Sequence, residues 1–202
     1  VRVIPNPVAH HFVQENSPTP MTTSEGPLRL IVVAQHLDDP VKEVATAVGA
    51  FRALKATHPG VTLTLVGRGG RSFSGLGVTV VPPVSSGELV GLLDRADVLV
   101  VASRAENAPL VIAEAAARGV TTIARDVGGI GEMLDAIGHG QLVGDSRDLV
   151  QALERAASDP TMRSPDRRAD VASRARRVFS PASVVAEYAK VYAMATDEAK
   201  GG

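Results

Sequence analysis

The sequence predicts a doubly wound α/β fold, a Rossmann-like parallel sheet of about six strands with helices on both faces. Three observations predict it. Short, mostly apolar runs recur along the chain at Leu28–Ala34, Val61–Val66, Val78–Val81, Asp97–Val101, Val120–Ala124 and Gln141–Val143. Runs such as LRLIVVA are continuous rather than alternating, as strands covered on both faces are. Segments with apolar residues at helical spacing lie between them, and Pro, Gly, Ser or Asp punctuates the junctions.

Taken in order, residues 1–12, VRVIPNPVAHHF, read as an interdomain linker entering the domain, and residues 13–27, rich in Pro, Ser and Thr, as a polar loop. The domain proper occupies residues 28–179. After the strand Leu28–Ala34, Asp39-Pro40 signals a helix start, and Val44, Val48, Phe51 and Leu54 recur at helical spacing until His58-Pro59-Gly60. Beyond the next two strands, Ser85 and Glu88 have capping-box spacing for a helix through Leu93. Asp97–Val101 leads into SRAENAPLVIAEAAARG, whose helix is expected to start at Pro109 and close at Gly119. Val120–Ala124, the turn DVGGIGEM, a short helix and Gln141–Val143 follow. Ser180-Pro181 caps a last helix, residues 180–202 with the tail, in which Val185, Tyr188 and Tyr192 line one side.

Composition narrows the function. The chain has 202 residues, 45% hydrophobic and 21% charged, which fits one domain with a sizeable core. A formal net charge of −1 and 3% aromatics give neither the electrostatic drive nor the stacking platform of a nucleic-acid binder. It has no cysteine, hence no disulfide framework and no thiolate chemistry. No apolar run reaches the roughly 18 residues of a membrane span, and no signal peptide is evident, so a cytoplasmic location is expected. The five histidines lack metal-ligand spacing, and no nucleophile elbow or P-loop lysine motif occurs.

Ligands of doubly wound folds bind outside the carboxyl ends of the strands, at the switch point of strand order. The loops after the strands carry Lys42, Gly67 and Arg68, Pro82 and Pro83, Glu106, and Gly128 with Gly129. At the Pro109 helix start, the free amides of Leu110, Val111 and Ile112 and the helix dipole suit a phosphate. Glu114 lies about 7.5 Å along that helix, its side chain leaning back toward the start. Glu106 and Glu114 then suit hydroxyls on either side of a diphosphate, an arrangement that matches nucleotide sugars. Each glutamate alone is also accounted for by the helix dipole or a solvated face. Lys42 in a first turn opposes the dipole by a few tenths of a kcal/mol. A diphosphate about 4 Å away would return ~1 kcal/mol in water and up to ~4 kcal/mol at an effective dielectric of 20. Its alternative is a surface pair with Asp38 or Asp39. The run GRGGR after Val66 lacks the following helix that a dinucleotide fingerprint requires, which excludes NAD and leaves a glycine loop near the ligand or a plain connection. For Gly128 and Gly129 the alternatives are close approach of backbone to a sugar and an ordinary turn.

RAENAPLVIAEAAARG resembles the E-x7-E motif of retaining glycosyltransferases of the GT-B fold, family 4. VRVIPNPV resembles that family's entry into its C-terminal domain, LDDPVKEV its lysine segment, and DVGGIGEM its G-G-x-x-E turn. GVTVVPPVSSGEL is similar to the segment holding the nucleobase. The resemblance implies a donor-binding domain that holds a nucleoside-diphosphate sugar and moves its hexose to an acceptor. Glu106 with the Asn107–Ala108 segment before Pro109 would hold the sugar, the Leu110 and Val111 amides the phosphate, Glu114 the ribose and Lys42 the diphosphate. No cofactor or divalent metal is implied. An N-terminal acceptor-binding domain is the implied partner, so the chain, lacking a first Met, reads as a fragment that binds donor without efficient transfer. Two departures stand out. Glu43 replaces the family's glycine after the lysine, and Gln35 and His36 occupy the region of its arginine. A non-catalytic nucleotide-binding or interaction module of the same fold, or half of a sugar-nucleotide epimerase, are the other function classes. Arg163, Arg167, Arg168, Arg174, Arg176 and Arg177 form a basic stretch that reads as a solvated helix face or as a peripheral contact with anionic lipid headgroups, suited to a lipid-linked acceptor.

Overall fold

The computed structural model describes residues 3–14 and 26–200, so most of the expected polar loop at 13–27 lies outside the described residues. Six strands form one parallel sheet: β1 (Arg29–His36), β2 (Thr62–Arg68), β3 (Val78–Val81), β4 (Val98–Val101), β5 (Thr121–Arg125) and β6 (Gln141–Val143). Their order is β3-β2-β1-β4-β5-β6, which places the reversal of winding between β1 and β4. The doubly wound Rossmann-like sheet expected from the strand runs is the observed one.

Eight helices accompany the sheet among the described residues: α1 (His10–Val13), α2 (Val44–Thr57), α3 (Ser86–Asp94), α4 (Leu110–Ala117), α5 (Ile130–Ile137), α6 (Ser146–Ser158), α7 (Pro165–Phe179) and α8 (Pro181–Lys200). Alternate residues of β1 separate the two cores. Leu30, Val32 and Ala34 pack with α2 and α6, while Ile31 joins Val8, Phe12 and the inner faces of α3, α4, α5 and α7. Residues 8–12 are anchored at both ends: Val8 and Phe12 are buried, and the Val8 amide donates to the Phe179 carbonyl at 2.9 Å. Ser85 and Glu88 make the expected capping box on α3. At the far end of α4, Gly119 (φ +75°) and Val120 donate to the Ala116 and Ala115 carbonyls, closing the helix where glycine is favoured.

Two boundaries differ from the sequence reading. α2 begins at Val44 rather than at Asp39-Pro40, because Glu43 is left-handed (φ 50°, ψ 36°) and breaks the right-handed run. Residues 40–43 form a turn in which the Lys42 amide donates to the Asp39 carbonyl at 3.1 Å. Pro109 is the N-cap of α4 rather than its first helical residue.

The basic stretch, which runs from the turn at Pro160–Arg163 into α7, is not a uniformly solvated face. Arg163 and Arg168 are buried. Arg168 donates to the Ala96 carbonyl at 2.6 Å and to the Arg118 carbonyl at 3.2 Å, and burial pushes its pKa down to about 10. It lies 3.9 Å from Asp97, which is 1% exposed and takes three hydrogen bonds from Arg29, through the amide, Nε and Nη2. The Asp97 amide donates in turn to the Arg29 carbonyl at 2.8 Å. The amino ends of β1 and β4 are thus fastened together through one buried carboxylate. No helix among the described residues is long and apolar enough to cross a membrane.

Removing one partner of a buried ion pair leaves the other charge uncompensated, so Asp97→Ala should lower unfolding stability by about 3–5 kcal/mol. Urea denaturation of the variant against the wild-type chain measures this.

Candidate functional site

β1 and β4 pair only at Leu30 with Val98 and at Ile31 with Leu99. Beyond these residues the two strands separate, and a cleft of about 520 Å³ opens at their carboxyl ends. Val32–Gln35 and Val100–Ser103 form its walls, and Lys42, Glu106 and Pro109–Val111 stand around its mouth. A second lobe of about 310 Å³ shares Val33, Ala34 and Gln35 and continues past Gly67 and Arg68 to Pro83, Val84 and Leu89.

Two loops face each other across this opening, one after β1 with Lys42 and one after β4 with Glu106. Lys42 Nζ donates to Glu106 Oε1 at 2.8 Å, so the expected surface pair with Asp38 or Asp39 does not form. Those carboxylates have other partners, Asp38 the Gly70 amide on the loop after β2 and Asp39 the Val41 amide two residues on. The loops are joined twice more. The Arg104 amide donates to the Val41 carbonyl at 2.8 Å, and Arg104 Nε meets Glu43 Oε1 at 2.6 Å. Thr46 Oγ1 donates to Glu43 Oε2 at 2.6 Å; that hydrogen bond, ahead of the Arg104 charge, holds the Glu43 carboxyl below the usual glutamate range. The left-handed conformation of residue 43, which glycine adopts without cost, is thus occupied by a side chain with two partners.

The glycines brace these loops from behind. A Cβ at Gly128 (φ +55°) would land on the Glu106 carbonyl, and one at Gly129 on the Asn107 carbonyl. The Gly129 amide donates to that Asn107 carbonyl at 2.9 Å. The close approach permitted by this pair is to the backbone carrying Glu106. Likewise a Cβ at Gly67 would meet the Ala34 carbonyl, and one at Gly70 would come 2.6 Å from Leu37 Cδ1.

The start of α4 closes the cleft. Ile112 donates to the Pro109 carbonyl at 3.0 Å, so of the three amides expected to be free there, those of Leu110 and Val111 are the ones left for a ligand. Glu114 follows Val111 by three residues on the same helix face. It is half-buried, has no hydrogen-bond or ion-pair partner among the described residues, and burial pushes its carboxyl pKa up.

Of the residues singled out from sequence, Lys42, Glu106, Pro109, Leu110 and Val111 line the main lobe and Gly67, Arg68 and Pro83 the second. Asn107, Ala108, Pro82, Glu114, Gly128 and Gly129 lie outside both linings. Sequence reading missed Glu43 and Arg104 as partners. The only trace was a charged residue at the position of the resembled family's glycine, and nothing linear relates residue 43 to residue 104.

The glycosyl transferases group 1 family pattern matches residues 27–159. The chain is 33% identical over 183 residues to the glycogen synthase of Mycobacterium tuberculosis, an overlap covering 83% of this chain and 42% of that protein. It is 32% identical over 171 residues to the D-inositol 3-phosphate glycosyltransferase of Rhodococcus erythropolis, covering 69% and 38%. Among solved structures, a sucrose-phosphate synthase from Thermosynechococcus elongatus superposes with a TM-score of 0.69 and 25% identity over 96% of this chain and 50% of that one. The chain therefore spans less than half the length of these two curated relatives.

Gly128→Ala should cost more than about 1 kcal/mol of stability, since both its φ and its contact with the Glu106 backbone oppose a side chain. Gly131→Ala is the control: in the first turn of α5 its Cβ would sit at an ordinary 3.6 Å from Leu142 Cδ1, so the change should be neutral or stabilising by less than about 1 kcal/mol. Thermal unfolding of the two variants measures the contrast.

Proposed function

The chain belongs to the glycosyl transferases group 1 family, and from that premise we propose that it is the donor-binding domain of a retaining glycosyltransferase, which passes a hexose from a nucleoside-diphosphate sugar to an acceptor. The observation that carries this reading is the meeting of Lys42 and Glu106 at 2.8 Å across a cleft that ends on the α4 amides. A cation and free amides suit a diphosphate, and carboxylates suit the hydroxyls on either side of it.

In this reading the diphosphate lies against the Leu110 and Val111 amides and Lys42. As the bond from the sugar to the diphosphate breaks, the departing phosphate gains negative charge where these donors already point, the preorganised stabilisation that dominates many enzymatic rates. Glu106 spends Oε1 on Lys42 and keeps Oε2 for a sugar hydroxyl. Glu114 takes the ribose hydroxyls. No metal is invoked. The partner would be an N-terminal acceptor-binding domain against α8, where Val185, Tyr188 and Tyr192 are 66%, 47% and 68% exposed. This chain alone would bind donor without efficient transfer. A cytoplasmic setting, with peripheral contact to a membrane bearing a lipid-linked acceptor, completes the reading.

A non-catalytic nucleotide-binding module is the second reading, favoured by the absence of a cation at Gln35 on the cleft wall. Calorimetric titration with UDP, GDP and ADP separates the two from a pure interaction surface. One diphosphate should bind selectively, and binding of none would end both nucleotide readings. Product analysis with a longer chain then separates transfer from epimerisation and from binding alone.

Glu114 supplies a test with opposite signs. Its folded pKa is raised above the ordinary 4.5, so the carboxyl costs the fold nothing below that value, and the cost appears as pH rises through it. Glu114→Gln should therefore raise the unfolding midpoint at pH 7 while weakening diphosphate binding. A lower midpoint with unchanged affinity would remove Glu114 from the site.

A further inference from the structure

Among the described residues that line it, the main lobe holds no uncompensated side-chain charge, because the cation there, Lys42, is neutralised by Glu106. The second lobe does hold one. Arg68 ends β2, lines that lobe, is exposed, and has no hydrogen-bond or ion-pair partner among the described residues. Its backbone is fixed: the Arg68 carbonyl accepts from the Leu37 amide at 2.7 Å. The neighbouring acid, Asp38, is engaged by the Gly70 amide at 3.1 Å.

The strand geometry brings this residue to the cleft. β1 pairs with β2 residue for residue from Arg29 with Thr62 to Val33 with Val66, and then the register shifts so that His36 stands opposite Arg68. Two residues of β1, Ala34 and Gln35, thus stand against one of β2, Gly67. Such a bulge bends the strand and re-aims side chains, and bulges gather next to active sites. Gly67 permits it, since its φ of +152° and its packing on the Ala34 carbonyl leave no room for a Cβ. Gln35, on the wall shared by both lobes, carries no charge, while the bulge sets Arg68 opposite His36, the next residue of β1, on the lining of the second lobe that Gln35 also forms.

We propose that Arg68 is a phosphate-binding residue of this cleft, its guanidinium pairing with the diphosphate of the nucleotide from the side opposite the α4 amides. The inference rests on the donor-binding reading and adds to it a cation from a different strand. A planar guanidinium binds phosphate through two parallel hydrogen bonds, which a lysine cannot reproduce. The phosphates, rather than the base, should therefore report on this residue.

The experiment titrates the wild-type chain, Arg68→Gln, Arg68→Lys and Arg71→Gln with UDP, GDP and ADP and with uridine, guanosine and adenosine. Arg68→Gln should weaken the diphosphate at least about tenfold, with Arg68→Lys between it and wild type. Nucleoside affinity should be unchanged, as should diphosphate affinity in Arg71→Gln, where an exposed arginine outside the lobe is removed. Equal diphosphate affinity in Arg68→Gln and wild type would overturn the role of Arg68 and leave the donor-binding reading intact. Equal loss for nucleoside and diphosphate, or equal loss in Arg71→Gln, would also overturn it, as a general disturbance or a diffuse charge effect. If no diphosphate binds the wild-type chain, the donor-binding reading falls and this inference with it.

Discussion

The site depends on the way β1 and β4 are held at one end and free at the other. At their amino ends Asp97 is buried between Arg29 and Arg168, and main-chain bonding links position 97 to position 29. Pairing lasts only two residues beyond that, to Ile31 and Leu99. The right-handed twist of adjacent strands then carries their carboxyl halves apart. A reversal of winding leaves no crossover helix to fill the gap between them. The cleft is thus a property of the topology, and the buried charges at the opposite pole act as its hinge pin. Burying a carboxylate there is costly, but three donors from one arginine and a second guanidinium at 3.9 Å offset the cost.

A gap of this kind positions nothing unless the loops on its two sides are fixed. They are fixed by one another. The main-chain bond from Arg104 to Val41, the Arg104–Glu43 pair and the Lys42–Glu106 pair join the loops within a few residues of the groups facing the cleft. Glycines 67, 70, 128 and 129 let the next loops on each side press against them. Exposed ion pairs contribute little to stability on their own. Here several share two loops, so ordering one side chain orders its neighbours.

The fold was legible because its strands are buried on both faces, and that condition writes itself into the chain as apolar runs. Helix ends with a local chemical signature were equally legible, such as the Ser85–Glu88 box and Gly119. The start of α2 was not, because Asp39-Pro40 is a sound helix signal that the left-handed Glu43 overrides. Lys42 and Glu106 could be picked out as residue types on the right loops. Their pairing could not, since 64 positions separate them and Asp38 and Asp39 were nearer along the chain. The glycine pair at 128 and 129 announced a close approach without saying to what, and the structure gives its object as the Glu106–Asn107 backbone. Arg168 shows the same limit. Arg167 before it is half-buried and Ala169 after it exposed, and only the position of α7 against the sheet makes Arg168 a buried donor to carbonyls.

The Lys42–Glu106 pair also bears on selectivity under the proposed reading. A bare phosphate entering the main lobe meets a lysine already neutralised and a carboxylate close by, so its Coulombic gain is small. A ligand that brings hydroxyls beside its phosphates changes this balance, because the hydroxyls give Glu106 and Glu114 donors while the phosphate takes up Lys42 and the free amides of α4. Glu114, half-buried on α4 outside the cleft linings and without a partner among the described residues, is unfavourable as a carboxylate, and under this reading a ribose hydroxyl reaching it offsets that cost. The acids therefore act against simple anions and in favour of anions flanked by hydroxyls. Discrimination of this kind needs a penalty for the wrong ligand as well as contacts for the right one.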